Sequence, residues 1–453
     1  MSISWNEEQS SVLQGKWFAF KCMGYSLLMI DATQEKEQVC LEYIFEKADR
    51  WECIQATVPC DSVVPSVTEV FPQGAQMQNE IAQGYPVTFQ PKSTTQDLSN
   101  CSTMEWGPFH PLLPQPIKFQ LEMKDELIEN AKLVTGYNYR GLEELCKGGK
   151  PEDVLEVLER TSALNGFPLA FAFSRAIEQL HEVQVPERAQ WLRMFLMEMT
   201  FLHAGLQSLN NVARSLGLMA CSARIFRLSS LYQEAAALIC TSPQFSGILE
   251  IGGLSRDIPR ETLFTVNAIL QEMEEELNNI QSQWENTTSI MKRLSGTGRI
   301  ETEHAWMMTG RMRRAAGLTE DLRGLSVLPW SKLNHVIPRT DGSDCFARVM
   351  LMFKDTLLSL DLLDQMAADL PKGSIKTDFR INGSGEVLVC EPEAFGGMAV
   401  RVRQKRGRVQ SIRIRNAAAL NISFLPQCLK GMEINDLPLV VSTFELDLSA
   451  MEK

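Results

Sequence analysis

Two proline-led helical stretches constrain this chain more than any other feature. Pro186 opens a run that continues to about residue 216, and Pro259, just after Asp257, heads a second. A proline in the first helical turn sacrifices nothing, because the N–H it lacks would have no acceptor within the helix. In the second stretch Leu263, Val266, Leu270, Met273, Leu277, Ile280 and Trp284 recur every three or four residues, with Glu272, Glu274, Glu275 and Glu276 on the other faces. That pattern suits a helix packed inside a bundle or a dimerising coiled coil, and the shortness of the stripe favours the bundle. A third helix is expected over residues 345–368, stopping before Leu370-Pro-Lys-Gly. Residues of about 151–370 therefore read as a core of long helices.

The rest of the chain has a different texture. Residues 1–90 mix short strand-like runs, such as 39–45, with turn residues and predict a small α+β domain. Residues 91–113, dense in Pro, Ser, Thr, Gln and Asn, read as a linker. The remaining residues, 114–453, form a second unit with a β-hairpin near 117–134, the helical core, and a β-rich part at about 374–416 before a last helix. The runs 398–403 and 408–415 flank Gln404-Lys-Arg-Gly and predict a hairpin turning at the glycine. The fold class is α+β.

Composition removes several functions. Asp plus Glu outnumber Lys plus Arg by 56 to 44, a formal net charge of −12, so a basic footprint for nucleic acid is missing. The eleven cysteines include no two within five residues, which argues against a zinc ribbon, a self-contained iron–sulfur cluster or a compact disulfide framework. With no export signal at residues 1–31, they read as reduced thiols of a cytoplasmic protein. No window approaches the ~18–20 uncharged residues of a membrane span, so attachment to a membrane would run through partners. No G-x-G-x-x-G follows a strand, so a dinucleotide site on this chain is unsupported. Against the acidic background, Arg401, Arg403, Lys405, Arg406, Arg408, Arg413 and Arg415 make the C-terminal hairpin basic. It is either a solvated face or a dock for an acidic partner or anionic lipid headgroups.

Motifs then narrow the reading. Pro65-Ser-Val-Thr-Glu-Val-Phe-Pro and Ala75-Gln-Met-Gln-Asn-Glu-Ile-Ala-Gln-Gly resemble the signature of the small α+β peripheral-arm subunit of respiratory complex I. Glu80 and Gly84 match, while Asn79 replaces an arginine and Gln83 an aromatic residue. Further on come Gly107-Pro-Phe-His-Pro, Gly136-Tyr-Asn-Tyr-Arg-Gly-Leu-Glu, Val185-Pro-Glu-Arg-Ala-Gln-Trp-Leu-Arg and Gly252-Gly-Leu-Ser-Arg-Asp-Ile-Pro. Arg314-Ala-Ala-Gly-Leu-Thr-Glu-Asp-Leu-Arg and Asp341-Gly-Ser-Asp-Cys-Phe-Ala-Arg complete the series. In this order they resemble the large subunit shared by complex I and the membrane-bound, energy-converting [NiFe] hydrogenases, so the whole chain resembles a fusion of the two subunits.

The resemblance also shows what is missing. In the hydrogenases two C-x-x-C pairs hold nickel and iron, because soft, charged thiolates bridge the metals. The matching stretches here, Glu159-Arg-Thr-Ser-Ala-Leu-Asn-Gly and Val441-Ser-Thr-Phe-Glu-Leu-Asp-Leu-Ser, put Ser162, Asn165, Leu446 and Ser449 at the cysteine positions. Hydrogen turnover at such a centre is therefore not expected. In complex I the same cavity takes a quinone headgroup between a tyrosine and a hairpin histidine. The tyrosine position falls on Ala163, the first histidine on His110, the second on Pro114, and a histidine near the neighbouring cluster on Phe245. Arg140 matches an arginine that approaches the partner's terminal cluster, although Tyr139 replaces the histidine before it. A hairpin arginine paired with a carboxylate is the plain alternative. Glu198 reads as a proton-relaying carboxylate or as a salt-bridged core residue.

The resemblance implies a subunit at the cytoplasmic face of a membrane complex. It would support electron transfer from a cluster-bearing small subunit to membrane ion-pumping, antiporter-like subunits, with no metal centre of its own and an iron–sulfur cluster on the partner. A second expectation is a remodelled cavity at His110, Ser162, Ala163 and Asn165 that takes a quinone or another small acceptor. A third is a non-catalytic assembly protein that kept only the fold.

Overall fold

The computed structural model describes residues 7–47, 50–90, 101–320 and 322–452. The N-terminal part begins with helix α1 (Glu7–Cys22). Strands β1 (Ser26–Glu35), β2 (Gln38–Lys47) and β3 (Arg50–Pro59) follow as an antiparallel meander. Short strand β4 (Ser62–Val64) pairs in parallel with β5 (Val87–Phe89), and helix α2 (Ala75–Gly84) lies between them in sequence. One face of the meander is apolar because Leu27, Val39, Leu41, Tyr43, Phe45 and Val58 alternate inward, where they meet Leu13 and Trp17 of α1.

Strands β6 (Ser102–Trp106), β7 (Lys118–Lys124) and β8 (Leu127–Val134) form a second antiparallel sheet. The hairpin expected near 117–134 is β7–β8. Part of the stretch read as a linker is β6, whose Trp106 pairs with Phe119 and packs against it edge-on. Its polar composition hid a strand that needs only one apolar residue facing the core; residues 91–100 lie outside the described ones.

The helical body follows. It comprises α3 (Leu142–Leu145), α4 (Pro151–Glu159), α5 (Gly166–Leu180), α6 (Glu187–Ser215) and α7 (Met219–Ile239). A two-residue hairpin, β9 (Leu249–Glu250) and β10 (Gly253–Leu254), leads to α8 (Arg260–Asn286), α9 (Thr288–Leu294), α10 (Thr302–Ala305), α11 (Arg311–Ala315) and α12 (Cys345–Ala368). Pro186 and Pro259 sit at the N-caps of α6 and α8, one residue ahead of the expected first-turn position. All seven stripe residues of α8, Leu263 to Trp284, are buried, and α8 packs between α7 and α12 as a bundle helix. Helix α12 has the expected bounds, with Asp344 capping it through a bond from the Ala347 N–H.

At the Gly252-Gly253 turn a side chain is impossible: a Cβ on Gly253 would lie 2.1 Å from the Ile375 carbonyl oxygen, and Gly252 has φ +90°. Near the C-terminus β11 (Gly385–Glu393), β12 (Gly396–Lys405) and β13 (Arg408–Arg415) form a meander. Instead of one last helix, the chain ends in four short ones, α13 (Ala417–Asn421), α14 (Leu425–Leu429), α15 (Leu437–Thr443) and α16 (Leu448–Met451). Apolar residues of the N-terminal part and of the helical body join one continuous core.

The basic hairpin follows neither expectation in full. Arg401 donates to Asp31 (3.0 Å) and Glu42 (2.7 Å), and Arg403 to Glu42 (2.8 Å) and Glu386 (2.7 Å). Arg413 reaches Asp31 (2.8 Å), Glu143 (2.7 Å) and the Tyr85 hydroxyl (2.8 Å), and Arg415 is fully buried against the Gln73 carbonyl (3.2 Å). Arg401 and Arg413 are cross-strand neighbours, which would repel if Asp31 did not bridge them. The acidic partners of this ribbon are thus the chain's own: Asp31 and Glu42 of the N-terminal sheet, with Glu143 and Glu386. Only Lys405, Arg406 and Arg408 at the tip stay exposed.

Candidate functional site: a closed polar centre

The turn between α4 and α5 carries Ser162 and Asn165, the first pair that the resemblance sets at ligand positions. It closes tightly: a Cβ on Gly166 would sit 2.3 Å from the Glu159 carbonyl oxygen. The Ser162 hydroxyl accepts from the backbone N–H groups of Leu164 and Asn165, both at 3.2 Å, which fixes the turn. Of the second pair, Ser449 lies in α16 and Leu446 between α15 and α16. There Glu445 adopts φ +52°, a left-handed conformation that reverses the chain, and Asp447 caps α16 through the Ala450 N–H (3.3 Å).

Asp447 joins the two stretches. The Ser162 hydroxyl donates to its Oδ2 at 2.5 Å and the Asn165 amide at 2.9 Å. Its Oδ1 accepts from the Gln115 amide (3.2 Å) as well as from Ala450. A carboxylate offers about four lone-pair sites, so these donors use all of them. Asn165 is fully buried and Asp447 nearly so, and the Asn165 side-chain Oδ1 accepts from the Ala394 N–H (3.3 Å) between β11 and β12. Gln115 also accepts from the Ser449 N–H (2.7 Å), and Asn416 donates to the Asp447 carbonyl (3.2 Å). From outside, Arg140 donates to the carbonyl oxygens of Thr161 (2.8 Å) and Ser449 (2.6 Å). It therefore clamps the same two stretches through backbone rather than pairing with a carboxylate in these bonds.

Structure brings Ser162 and Asn165 together on Asp447; Leu446, the residue before it, is buried, and the Ser449 N–H bonds Gln115. Ala163 points out of this centre and is exposed. His110 stays in its own loop, where Nδ1 accepts from the Leu112 N–H (3.2 Å) and the ring lies 4.3 Å from that of Trp106. The residue that the hairpin sends into the centre is Gln115. Sequence reasoning missed Asp447, Gln115 and Asn416. The Asp447-Leu-Ser start of a short helix was a capping signal, but nothing in the sequence announced which donors its side chain would meet.

A hydroxyl, an amide, an isobutyl group, a second hydroxyl and a hydrogen-bond-saturated carboxylate do not fit a nickel–iron pair, which needs soft anionic ligands. The electrostatics beside the centre are also unusual. Glu393 is buried, with its Oε1 accepting from the Ala417 N–H (2.5 Å) and its Oε2 without a hydrogen-bond partner. Burial, reinforced by the Asp447 charge, pushes its carboxyl up to about 8. Two residues earlier, burial pushes Glu391 up to about 7 against the opposing Ser326 hydroxyl bond (2.5 Å). Glu393 lines a cavity of about 40 Å³ with Arg311, Arg314 and Asp355, and Ser162, Asn165 and His110 are not in its wall.

The family-like motifs prove to be ties between remote segments. Arg314 makes a bidentate pair with Asp355 (2.9 and 2.6 Å), and Arg311 bonds Asp355 (2.7 Å) and Glu445. These cations hold the Asp355 carboxyl well below the usual carboxylate range despite full burial. Arg188 bonds Asp257 (2.8 and 3.1 Å), while Arg193 pairs with Glu178 (2.6 Å) and the Gly253 carbonyl, and Glu178 accepts from the Gly252 N–H (2.7 Å). Glu198, fully buried, accepts from Arg323 (2.5 and 3.1 Å), the Trp330 indole (3.0 Å) and Ser359 (2.9 Å), so the salt-bridged reading describes it.

Fold and motifs together define a large-subunit scaffold of the complex I and hydrogenase type. Residues 216–382 match the family described as respiratory-chain NADH dehydrogenase, 49 Kd subunit. The chain is 23% identical over 397 residues to an NADH-quinone oxidoreductase subunit of Akkermansia muciniphila, covering 80% of this chain and 95% of that protein. It is 24% identical over 369 residues to the alpha subunit of the membrane-bound hydrogenase of Pyrococcus furiosus, covering 77% and 86%. Its fold matches a chain of the membrane-bound sulfane sulfur reductase, an archaeal respiratory membrane complex, with a TM-score of 0.73 at 20% identity, covering 80% of this chain and all of that one. The chain is similar in sequence and in fold to these complex I-type and hydrogenase-type subunits. Among the described residues, no helix is long and apolar enough to cross a membrane.

Proposed function

We propose that this chain is the peripheral large subunit of a membrane-associated, complex I-like oxidoreductase complex, with its small peripheral-arm subunit fused at the N-terminus. It supports electron transfer from a cluster-bearing small subunit to a membrane ion-pumping arm at the cytoplasmic face, without [NiFe] turnover in its own centre. The observation that carries this reading is the saturated Asp447 carboxylate spanning the altered ligand positions Ser162 and Asn165. Support for a partner face comes from Phe109, Tyr137 and Tyr139, which are exposed beside Arg140. Large exposed aromatic side chains next to an arginine are typical of protein interfaces.

The test is the metal and cofactor inventory of the intact complex isolated from membranes. Iron without stoichiometric nickel is expected, and nickel at one per chain would overturn the reading. A second reading, that a quinone or sulfur compound binds at the remodelled centre, is favoured by the exposure of Ala163 at its outer edge and of Phe109 next to His110. Replacing Ser162 and Asn165 by bulky apolar residues discriminates the two. Unchanged electron transfer in the assembled complex rules out a ligand at that position.

A further inference from the structure

The basic hairpin ends in a tip that the chain's own carboxylates do not neutralise. Along the strands Arg401, Arg403 and Arg413 are taken up by Asp31, Glu42, Glu143 and Glu386. At the turn Lys405, Arg406 and Arg408 are exposed, and none of the three makes an ion pair among the described residues. Lys405 pairs with Arg408, so the turn itself is only Arg406 and Gly407, with φ +52° and +74°. A two-residue turn with positive φ at both positions favours asparagine or glycine at the first. An arginine there adopts a left-handed conformation that side chains avoid, and it sets a guanidinium at the outermost point of the hairpin.

The tip is braced, and the bracing adds cations to it. Arg408 donates to the Gly148 carbonyl (2.8 Å), the Gly148 N–H to the Val409 carbonyl (2.7 Å) and the Val409 N–H to the Gly149 carbonyl (3.0 Å). The loop between α3 and α4 therefore runs beside the tip and brings Lys147 and Lys150, both exposed. The Arg406 N–H donates to Ser384 Oγ (2.9 Å) and the Gly407 N–H to the Gly383 carbonyl (3.0 Å), which fixes the turn from a second segment. Glu144 is held by Lys147 (3.3 Å) and Glu386 by Arg401 and Arg403, while Glu152 and Asp153 in the first turn of α4 offset part of the charge.

We infer that this tip docks on anionic phospholipid headgroups, with Lys405, Arg406 and Arg408 toward the phosphates and Lys150 beside them. The inference rests on the membrane association in the proposed function and not on the metal content of the complex. Charge complementarity selects the occupant. Clustered Lys and Arg bind anionic headgroups without an apolar contact, whereas the middle of a protein interface is aromatic or apolar. Among the described residues, Leu145 is the one exposed large apolar side chain on these segments. The net charge of −12 repels an anionic surface, but at physiological salt that repulsion is screened beyond about 8–10 Å. A tip-first approach therefore brings the cations within reach of the headgroups while the acidic remainder of the chain stays screened.

The test is flotation of the full chain with phosphatidylcholine vesicles, with and without added phosphatidylglycerol. Binding is expected only with phosphatidylglycerol, fading as salt rises from about 0.05 to about 0.3 M. Combining Lys150→Gln, Lys405→Gln and Arg406→Gln, whose side chains make none of the bracing bonds, should weaken it about fivefold per cation and on the order of a hundredfold together. A charge-matched variant at exposed positions elsewhere, Lys124→Gln with Lys132→Gln and Lys430→Gln, should bind like the parent. Equal loss in the two variants would reduce binding to net charge and overturn the proposal, as would equal binding to phosphatidylcholine alone. Inorganic phosphate that releases the chain more strongly than chloride at the same ionic strength would make the tip a free-phosphate site and overturn it too. A tip variant that floats normally but no longer assembles with its partner subunits would place an acidic protein there instead. Nickel at one per chain, by contrast, would overturn the proposed function and leave this docking result unaffected.

Discussion

Two aspartates each tie together segments far apart in sequence, and they do so by opposite means. Asp31 of β1 lies between the cross-strand pair Arg401 and Arg413, so ion pairs cross the junction of the N-terminal sheet with the C-terminal one, beside a small apolar cluster of Leu28, Met29, Ile44 and Ala399. Asp447 is held by a hydroxyl, two side-chain amides and a backbone N–H, with no cation among these partners. The ionic junction balances charge against charge across two parts of the chain. The closed centre keeps a buried carboxylate on dipoles alone, and its neighbour Glu393 is correspondingly hard to ionise. Where homologous hydrogenases are expected to hold metal, this chain has small neutral donors that fix geometry. Where two subunits are expected to have fused, it has charges that specify pairing.

The largest effect should come from breaking the ionic junction. Asp31→Ala leaves Arg401 and Arg413 facing each other without their shared partner, and removing one member of a buried pair costs about 3–5 kcal/mol. Denaturant unfolding would read this as a lower midpoint. A loss below about 1 kcal/mol would mean that the junction behaves like a surface ion pair. The same junction predicts acid sensitivity. Burial alone would raise the Glu42 carboxyl, but Arg401 and Arg403 outweigh it and hold it below its ordinary 4.5. A carboxyl lowered on folding stabilises above its unfolded pKa and loses that contribution as pH falls through the folded value. Stability should therefore drop below about pH 4.5, and Glu42→Gln should flatten that limb.

The closed centre should show the opposite pH dependence. Because Glu393 rises from 4.5 to about 8 on folding, its contribution is complete below pH 4.5 and is lost as pH climbs toward 8. Glu393→Gln keeps the acceptor for the Ala417 N–H and removes the titration. The variant should equal the parent near pH 5 and exceed it above pH 8 by something on the order of 2–3 kcal/mol. Parallel stability curves for the two proteins between pH 5 and 9 would show that Glu393 ionises freely and that the centre is wetter than its hydrogen bonds imply.

The helices were legible in the sequence; the two aspartate junctions were not, for identifiable reasons. The helices were readable because local signals fix them: Pro186 and Pro259 mark starts, Leu370-Pro-Lys-Gly marks a stop, and the α8 stripe marks a buried face. The correspondence of Ser162, Asn165, Leu446 and Ser449 to metal-ligand positions rests on the resemblance alone. Asp447 was not, because its role depends on Gln115, 332 residues away in sequence. The basic hairpin misled for the same reason. Charge in a sequence says nothing of which surface will neutralise it, and Asp31 lies 370 residues before Arg401. Strand β6 was hidden by its exposed, polar composition, which pairing with β7 overrides.

The smallest predicted effects separate the buried half of the Asp447 network from its half-exposed half. Ser162→Ala removes the 2.5 Å bond to Oδ2 and both backbone contacts to the turn, inside a site that water does not reach. Its cost should be about 1–3 kcal/mol, the penalty for an unsatisfied buried acceptor. Gln115 is only partly buried, so water can replace it on Asp447 Oδ1 and on the Ser449 N–H, and Gln115→Ala should cost about 0.5–1 kcal/mol. The order matters more than either value. If Gln115→Ala is the more damaging of the two in denaturant unfolding, the hairpin loop holds the centre shut and the α4–α5 turn merely follows. If Ser162→Ala is the more damaging, the neutral donors Ser162 and Asn165 close the centre themselves, as their burial against Asp447 requires.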